Sequence, residues 1–219
     1  MKLIVKTKSI VSENNRKKML DELLAMKEKG IILLDARYEE NPIIIDSDTD
    51  IVIKTKIKKP EAGEHFNYNG IECVALGEEQ GGILAVFANV LDEAMPFDES
   101  SCNDWRSSTL RKYLNEELLK SFNDGDLLPF VSDLIADNGE KDYETCEDYI
   151  TILSCDLNRK YRKLIPKYNT WVWTLTPWRI SPDSCYVRHV STSGSFSHDY
   201  ARGSLGVAPA CIFNPSIFE

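Results

Sequence analysis

The chain has 219 residues, 42% of them hydrophobic and 10% aromatic, enough to bury a real core and too apolar for a disordered protein. Its net charge of −9 repels phosphate backbones and anionic lipid, so neither nucleic acid nor a membrane surface is an expected partner. The N-terminal apolar run is three residues long, too short for an export signal, and no later run would span a membrane, so a cytoplasmically made protein without membrane insertion is expected.

In chain order, residues 12–29 read as a helix, with Ser12 as N-cap, Met19, Leu20, Leu23 and Leu24 on one face, and Gly30 as stop. Residues 31–34, 43–45 and 51–57 read as short strands. The cationic run Lys54-Thr-Lys56-Ile-Lys58-Lys59 alternates as the wet face of a strand would. The turn-rich Pro60-Glu-Ala-Gly63 sets a boundary, giving a small α+β unit over 1–59 and a larger domain over 60–219. Two strands, 70–76 and 83–90, follow, joined at Gly81-Gly82. A helix capped by Ser107 or Ser108 carries Leu110, Tyr113, Leu114, Leu118 and Phe122 at helical spacing and ends at Asn123-Asp-Gly125. Residues 137–148, acidic and polar, read as an exposed loop. A strand at 149–153 and a short helix at 156–163 lead into the Trp-rich and C-terminal strands.

The last quarter is chemically distinctive. Apolar, aromatic ends enclose a mosaic of Ser, Thr, His, Asp, Tyr and Arg, which is how a recognition surface on a rigid frame is built. Alternation puts Trp171 and Trp173 on one strand face, as core, whereas Trp178 follows Pro177 in a loop and is the surface candidate. The display residues are Trp178, Arg179, Tyr186, His189, Ser191, Ser193, Ser195, Ser197, His198, Asp199, Tyr200, Arg202 and Leu205. The plainer reading of the same segment is a polar β-hairpin and loop. Ser197, His198 and Asp199 are too close in sequence to form a Ser-His-Asp triad, and no Gly-x-Ser-x-Gly elbow occurs. The expectation is therefore a non-catalytic protein.

Metal and cofactor signals are weak. Asp46-Ser-Asp48-Thr-Asp50 opens like a calcium loop, but its sixth and twelfth positions are Ile51 and Ile57, so a solvated turn is expected. The six cysteines contain no Cys-x-x-Cys pair and read as reduced thiols, and Cys185 with His189 lacks a second pair for zinc. No metal and no cofactor are predicted.

Four segments carry a resemblance: Phe66-Asn-Tyr-Asn-Gly70-Ile, Trp105-Arg-Ser-Ser-Thr-Leu110-Arg-Lys-Tyr-Leu114-Asn115, Trp171-Val-Trp173-Thr-Leu-Thr-Pro177 and Gly206-Val-Ala-Pro209-Ala. Together they resemble the bacterial and phage domain family of unknown function numbered 6273 (DUF6273). They stand for its opening strand, its signature helix, its Trp-Trp-Leu-Arg-Ser/Thr-Pro motif and its Gly-Val-Arg-Pro-Ala motif. Thr174-Leu175 and Ala208 depart from the family pattern, which removes the arginines that the family carries there. The resemblance spans residues 63–213 and implies an α+β fold of the C-type-lectin type, related to the formylglycine-generating enzyme. It also implies kinship with the variable proteins of diversity-generating retroelements, whose C-terminal codons are diversified. Residues 186–206 resemble such output. The implied function is binding of a protein or glycan ligand on another cell or particle, from a phage virion, with residues 1–59 as an attachment or homo-oligomerisation unit. Two alternatives follow: a cytoplasmic interaction module without diversification, and a copper oxidase using Cys185 and Cys211, which would be neighbours if their strands paired.

Overall fold

Residues 71–87 show how the sequence builds the sheet. Two apolar runs flank Gln80 and Gly81, which take positive φ values of 45° and 89° and close a tight hairpin. The computed structural model describes residues 2–4, 35–38, 43–46 and 57–218. The chain forms two units, residues 1–55 and 56–219, compared with the break at 59 and 60 read from composition.

In the first unit, β1 (Lys2–Ile4), β2 (Asp35–Tyr38) and β3 (Ile43–Asp46) form an antiparallel sheet in the order β1-β3-β2. The helix expected at 12–29, the strand at 31–34, residues 51–56 of the strand at 51–57 and most of the Asp-rich turn at 46–50 lie outside the described residues.

The second unit is mixed α and β, mostly antiparallel strands with few helices. Its main sheet contains β4 (His65–Tyr68), β5 (Ile71–Glu79), β6 (Gly82–Phe87), β8 (Leu127–Leu128), β11 (Ile150–Ile152) and β16 (Pro209–Phe213). The order is β11-β16-β6-β5-β4, with β8 also on β16. Every residue of β6 and β16 is buried, because the sheet is covered on both faces. Period-two alternation divides them. Ile83, Ala85, Cys211 and Phe213 face a core that includes Phe97, Trp105, Leu114 and Trp173. Leu84, Val86, Ala210 and Ile212 face Phe130, Leu153 and Tyr168. Gly82 is required by packing: a Cβ there would lie 2.4 Å from Ile212 Cγ2 and 2.5 Å from the Phe213 carbonyl.

The helix Thr109–Glu116 is capped by Ser108, whose hydroxyl accepts from Arg111 N at 3.1 Å, as the sequence suggests. Trp105, Arg111 and Asn115 converge on one corner of the sheet. Trp105 Nε1 donates to Asp148 Oδ2 at 2.8 Å, and Arg111 Nε to Asp148 Oδ1 at 2.7 Å. Asn115 accepts from Tyr149 N and Ile150 N and donates to the Ile150 carbonyl.

That corner corrects the reading of 137–148 as an exposed loop. Thr145–Asp148 is a strand, β10, paired with β9 (Phe130–Asp133), which the sequence did not announce. Alternation is present, with Cys146 and Asp148 inward, but the inward residue is a carboxylate. Its burial is compensated by two distant donors, Trp105 in the 3-10 turn before the helix and Arg111 in the helix itself.

A second sheet contains β12 (Val172–Pro177), β13 (Tyr186–Val190) and β14 (Phe196–Tyr200), in that order. A two-stranded element, β7 (Met95–Pro96) with β15 (Ser204–Leu205), lies in the same unit. Among the described residues no helix is long and apolar enough to cross a membrane.

Candidate recognition surface

The register of β13 against β14 decides which polar residues stand together. Tyr186 pairs with Tyr200, Arg188 with His198 and Val190 with Phe196, so these six share one face. Val187, His189, Ser197 and Asp199 share the other. The mosaic read from the sequence is thus divided between two sides of a hairpin.

The first face carries a continuous run of rings and guanidinium groups. Trp178 stacks on His198, with centroids 4.4 Å apart and planes at 9°. Tyr186 stands edge-on to both, at 5.5 Å from Trp178 and 5.4 Å from His198, and lies 4.4 Å from Tyr200. Arg179 covers Trp178 at 4.3 Å, and Arg202 lies 5.6 Å from the Tyr200 ring. Six expected residues therefore form one ribbon, in the order Arg179, Trp178, His198, Tyr186, Tyr200 and Arg202. Trp178, Arg179 and Tyr186 are half-buried, and the other three are exposed. The Tyr186 phenol is pushed up to about 12 by its hydrogen bond with Tyr200 and by neighbouring negative charge, so it is a neutral group at physiological pH. At the other end of this face Arg188 pairs with Asp137 at 3.3 Å, and Arg159 covers Phe196 at 4.9 Å.

The second face departs from expectation. His189 is 1% exposed and cannot act as a display residue. It lies flat against Trp171 at 5.0 Å and edge-on to Trp173 at 6.4 Å. Burial lowers its pKa, opposed in part by the Asp199 carboxylate, and its Nδ1 has no hydrogen-bond partner. No hydrogen bond joins Ser197, His189 and Asp199 into a catalytic relay. Trp171, expected in the core with Trp173, is 48% exposed. β12 begins one residue later, at Val172, so Trp171 lies just outside the strand whose alternation would have turned it inward. Leu205 also belongs to the frame. It is half-buried, opposite Met95, and packs on the main core.

The tip of the hairpin is a closed turn. Ser191 N donates to the Ser195 carbonyl at 2.9 Å, and Gly194 supplies a φ of 80°. The Ser191 and Ser193 hydroxyls are 2.9 Å apart, Ser193 Oγ donates to Ser195 Oγ at 3.2 Å, and Ser195 N donates to Ser191 Oγ. The three serines thus rigidify the turn as well as facing solvent.

The loop 178–185 is pinned by residues that the sequence reading missed. Asn103, fully buried, donates through Nδ2 to the carbonyls of Arg179 (2.8 Å) and Tyr186 (2.9 Å) and accepts from Tyr143 Oη (2.8 Å). Glu140 Oε2 accepts from Ile180 N at 2.5 Å and from Ser181 N at 3.3 Å, and these donors hold its carboxyl below the usual range. In the sequence Asn103 is one polar residue of a polar loop, and its carbonyl partners lie some 76 and 83 residues away, so no local signal marks it.

The cysteine arrangement required for a copper pair is absent from the strand pairing. Cys211 lies in β16 opposite Ile150 and Ala85, in the main sheet, while Cys185 precedes β13 in the other. Complete burial pushes the Cys211 thiol well above its ordinary value. All six cysteines are free, and among the described residues no three His, Cys, Asp or Glu side chains are grouped to hold a metal ion. No protein-family model, no curated protein and no solved structure matches this chain.

Proposed function

We propose that this protein is a non-catalytic binder that recognises its ligand through the ring-and-guanidinium ribbon of β13, β14 and residues 178–179. The observation that carries this reading is the unbroken contact chain from Arg179 to Arg202 on one solvent-facing side of a hairpin. Tyr, Trp and Arg combine large contact area with hydrogen bonding at low entropic cost, and they dominate binding hot spots. Anchoring of the loop backbone by Asn103 and Glu140 means that less order must be imposed on binding.

The C-type-lectin-like frame and the retroelement-type variable segment belong to the same proposal. The motif residues Trp105, Arg111, Asn115 and Trp173 are frame residues here, with Trp173 Nε1 donating to the Met95 carbonyl, while the mosaic lies outside them. The ligand is a protein or glycan on another cell or particle, and a phage-encoded particle is the simplest carrier. The test uses the full chain, arrayed multivalently against a glycan array and a panel of bacterial cells, beside a Trp178→Ala/Tyr200→Ala/Arg202→Ala variant. Binding that the variant loses supports the ribbon; binding equal in both proteins removes it. Sequencing the flanking DNA tests the retroelement: a near-copy of the terminal coding segment beside a reverse transcriptase gene supports diversification, and its absence removes that part.

A further inference from the structure

A cleft of about 460 Å³, away from the rings of the ribbon, opens between the segment that follows the helix Cys155–Lys160 and the serine turn. Its floor is apolar, with Val86, Leu153, Val172 and Ala208. Its rim carries Arg162, Lys167, Thr192 and Ser193. Three observations give it a chemical preference. Acids outnumber bases 35 to 26 in the chain, yet this cleft is lined by two cations and no Asp or Glu. Arg162 also differs from the other arginines of residues 57–218. Arg106, Arg111, Arg159, Arg179 and Arg188 each meet a carboxylate, and Arg202 lies by the Tyr200 ring. Arg162 has neither kind of partner among the described residues. Finally, its guanidinium lies against the tip of the turn, with Nη2 3.2 Å from where a Gly194 Cβ would be. The cation is thus brought to the mouth of the cleft beside the Thr192 and Ser193 hydroxyls. A second cavity in the same unit has the opposite character: Glu79, Asp133, Asp137 and Asp156 line it, and Arg159 already meets two of those acids.

We propose that this cleft binds a small organic carboxylate, an anion with a compact apolar or ring body. Arg162 and Lys167 hold the carboxylate at the rim, and the floor takes the body. A bare hydrated anion would leave the apolar floor in contact with water, and a neutral ligand would leave the two rim cations unused. The volume falls within the usual range for small-molecule sites, and the lining sets polar groups against an apolar floor, as such sites do. This site is independent of the ribbon, because none of its four rim residues belongs to the chain of rings.

The test is an NMR titration of the full chain at low ionic strength with phenylacetate, its neutral isostere phenylacetamide, and acetate. Phenylacetate is expected to bind roughly tenfold more tightly than either of the others, and to weaken as salt screens the exposed cations. Arg162→Gln/Lys167→Gln should lose that tenfold advantage with an unchanged thermal melt, since both side chains are exposed. Thr192→Trp, at the exposed rim, should block all binding sterically. The proposal is overturned if phenylacetamide binds equally well, if no probe binds, or if phenylacetate binding survives either variant undiminished.

Discussion

The six-stranded and three-stranded sheets of the larger unit use similar residues for opposite ends. In the main sheet, β6 and β16 are buried along their whole length, and the polar groups at its corner are bonded in specific pairs: Asp148 to Trp105 and Arg111, Asn115 to the backbone of β11. In the second sheet, β12 is equally buried, but β14 has no fully buried residue, and its rings contact one another at the surface. The aromatic content alone does not distinguish frame from display. What does is how completely a ring is buried. Trp173 is buried among Phe97 and His189, whereas Trp178 is half-buried, stacked on His198 with the Arg179 guanidinium over its ring.

Substitutions can break this contrast, and the largest effect should come from the frame. Trp173→Ala should destabilise by about 3–5 kcal/mol, through lost burial and the orphaned Met95 carbonyl, as measured by urea unfolding. A loss below about 1 kcal/mol would move Trp173 out of the frame. Asp148→Ala comes next, at about 2–3 kcal/mol, because the Trp105 indole N–H loses its acceptor inside the core. Asn103→Ala should cost about 1–3 kcal/mol. Its distinguishing readout is faster amide exchange at residues 179–186 than in β6, because its side chain ties both the Arg179 and Tyr186 carbonyls to the core.

His189 sharpens the boundary between the two regions through pH. Its folded pKa lies below its ordinary value of 6.5, chiefly because burial penalises the charged form. The unfolded chain therefore binds the proton first. Stability from this residue is fully present above about pH 6.5 and is lost as pH falls below it, until the folded group itself protonates. His189→Phe keeps a ring against Trp171 and removes the titration. Stability measured from pH 7.5 down to 5 should then fall less steeply than in the parent chain, and an identical slope would place the imidazole in solvent. The smallest effect is expected at the surface. Ser193, Ser197, His198, Tyr200 and Arg202, each exposed, should tolerate replacement at within about 0.5 kcal/mol apiece. A cooperative collapse of the combined variant in a thermal melt would make the ribbon part of the frame.

The sequence by itself determined the features that depend on neighbours within a few residues. The 71–87 hairpin follows from its apolar flanks and a glycine-bearing turn, although the turn residues are Gln80-Gly81 and not Gly81-Gly82. The helix follows from Ser108 and the spacing of Leu110 and Leu114, although it ends at Glu116 and Leu118–Ser121 is a 3-10 turn. The polar hairpin follows from its composition. Tertiary structure alone decided the rest. An acidic strand at Thr145–Asp148 exists because a tryptophan and an arginine some 40 residues away satisfy its buried carboxylate. His189 is inside because it shares the inward face of β13 with Val187, and Trp171 is outside because it precedes the first residue of β12. Which six of the thirteen expected display residues form a surface was set by the pairing of Tyr186 with Tyr200 and by the stacking of Trp178 on His198. Local propensity is written in a short window, whereas burial of a charge and the side on which a strand presents its residues depend on partners that only the folded chain brings together.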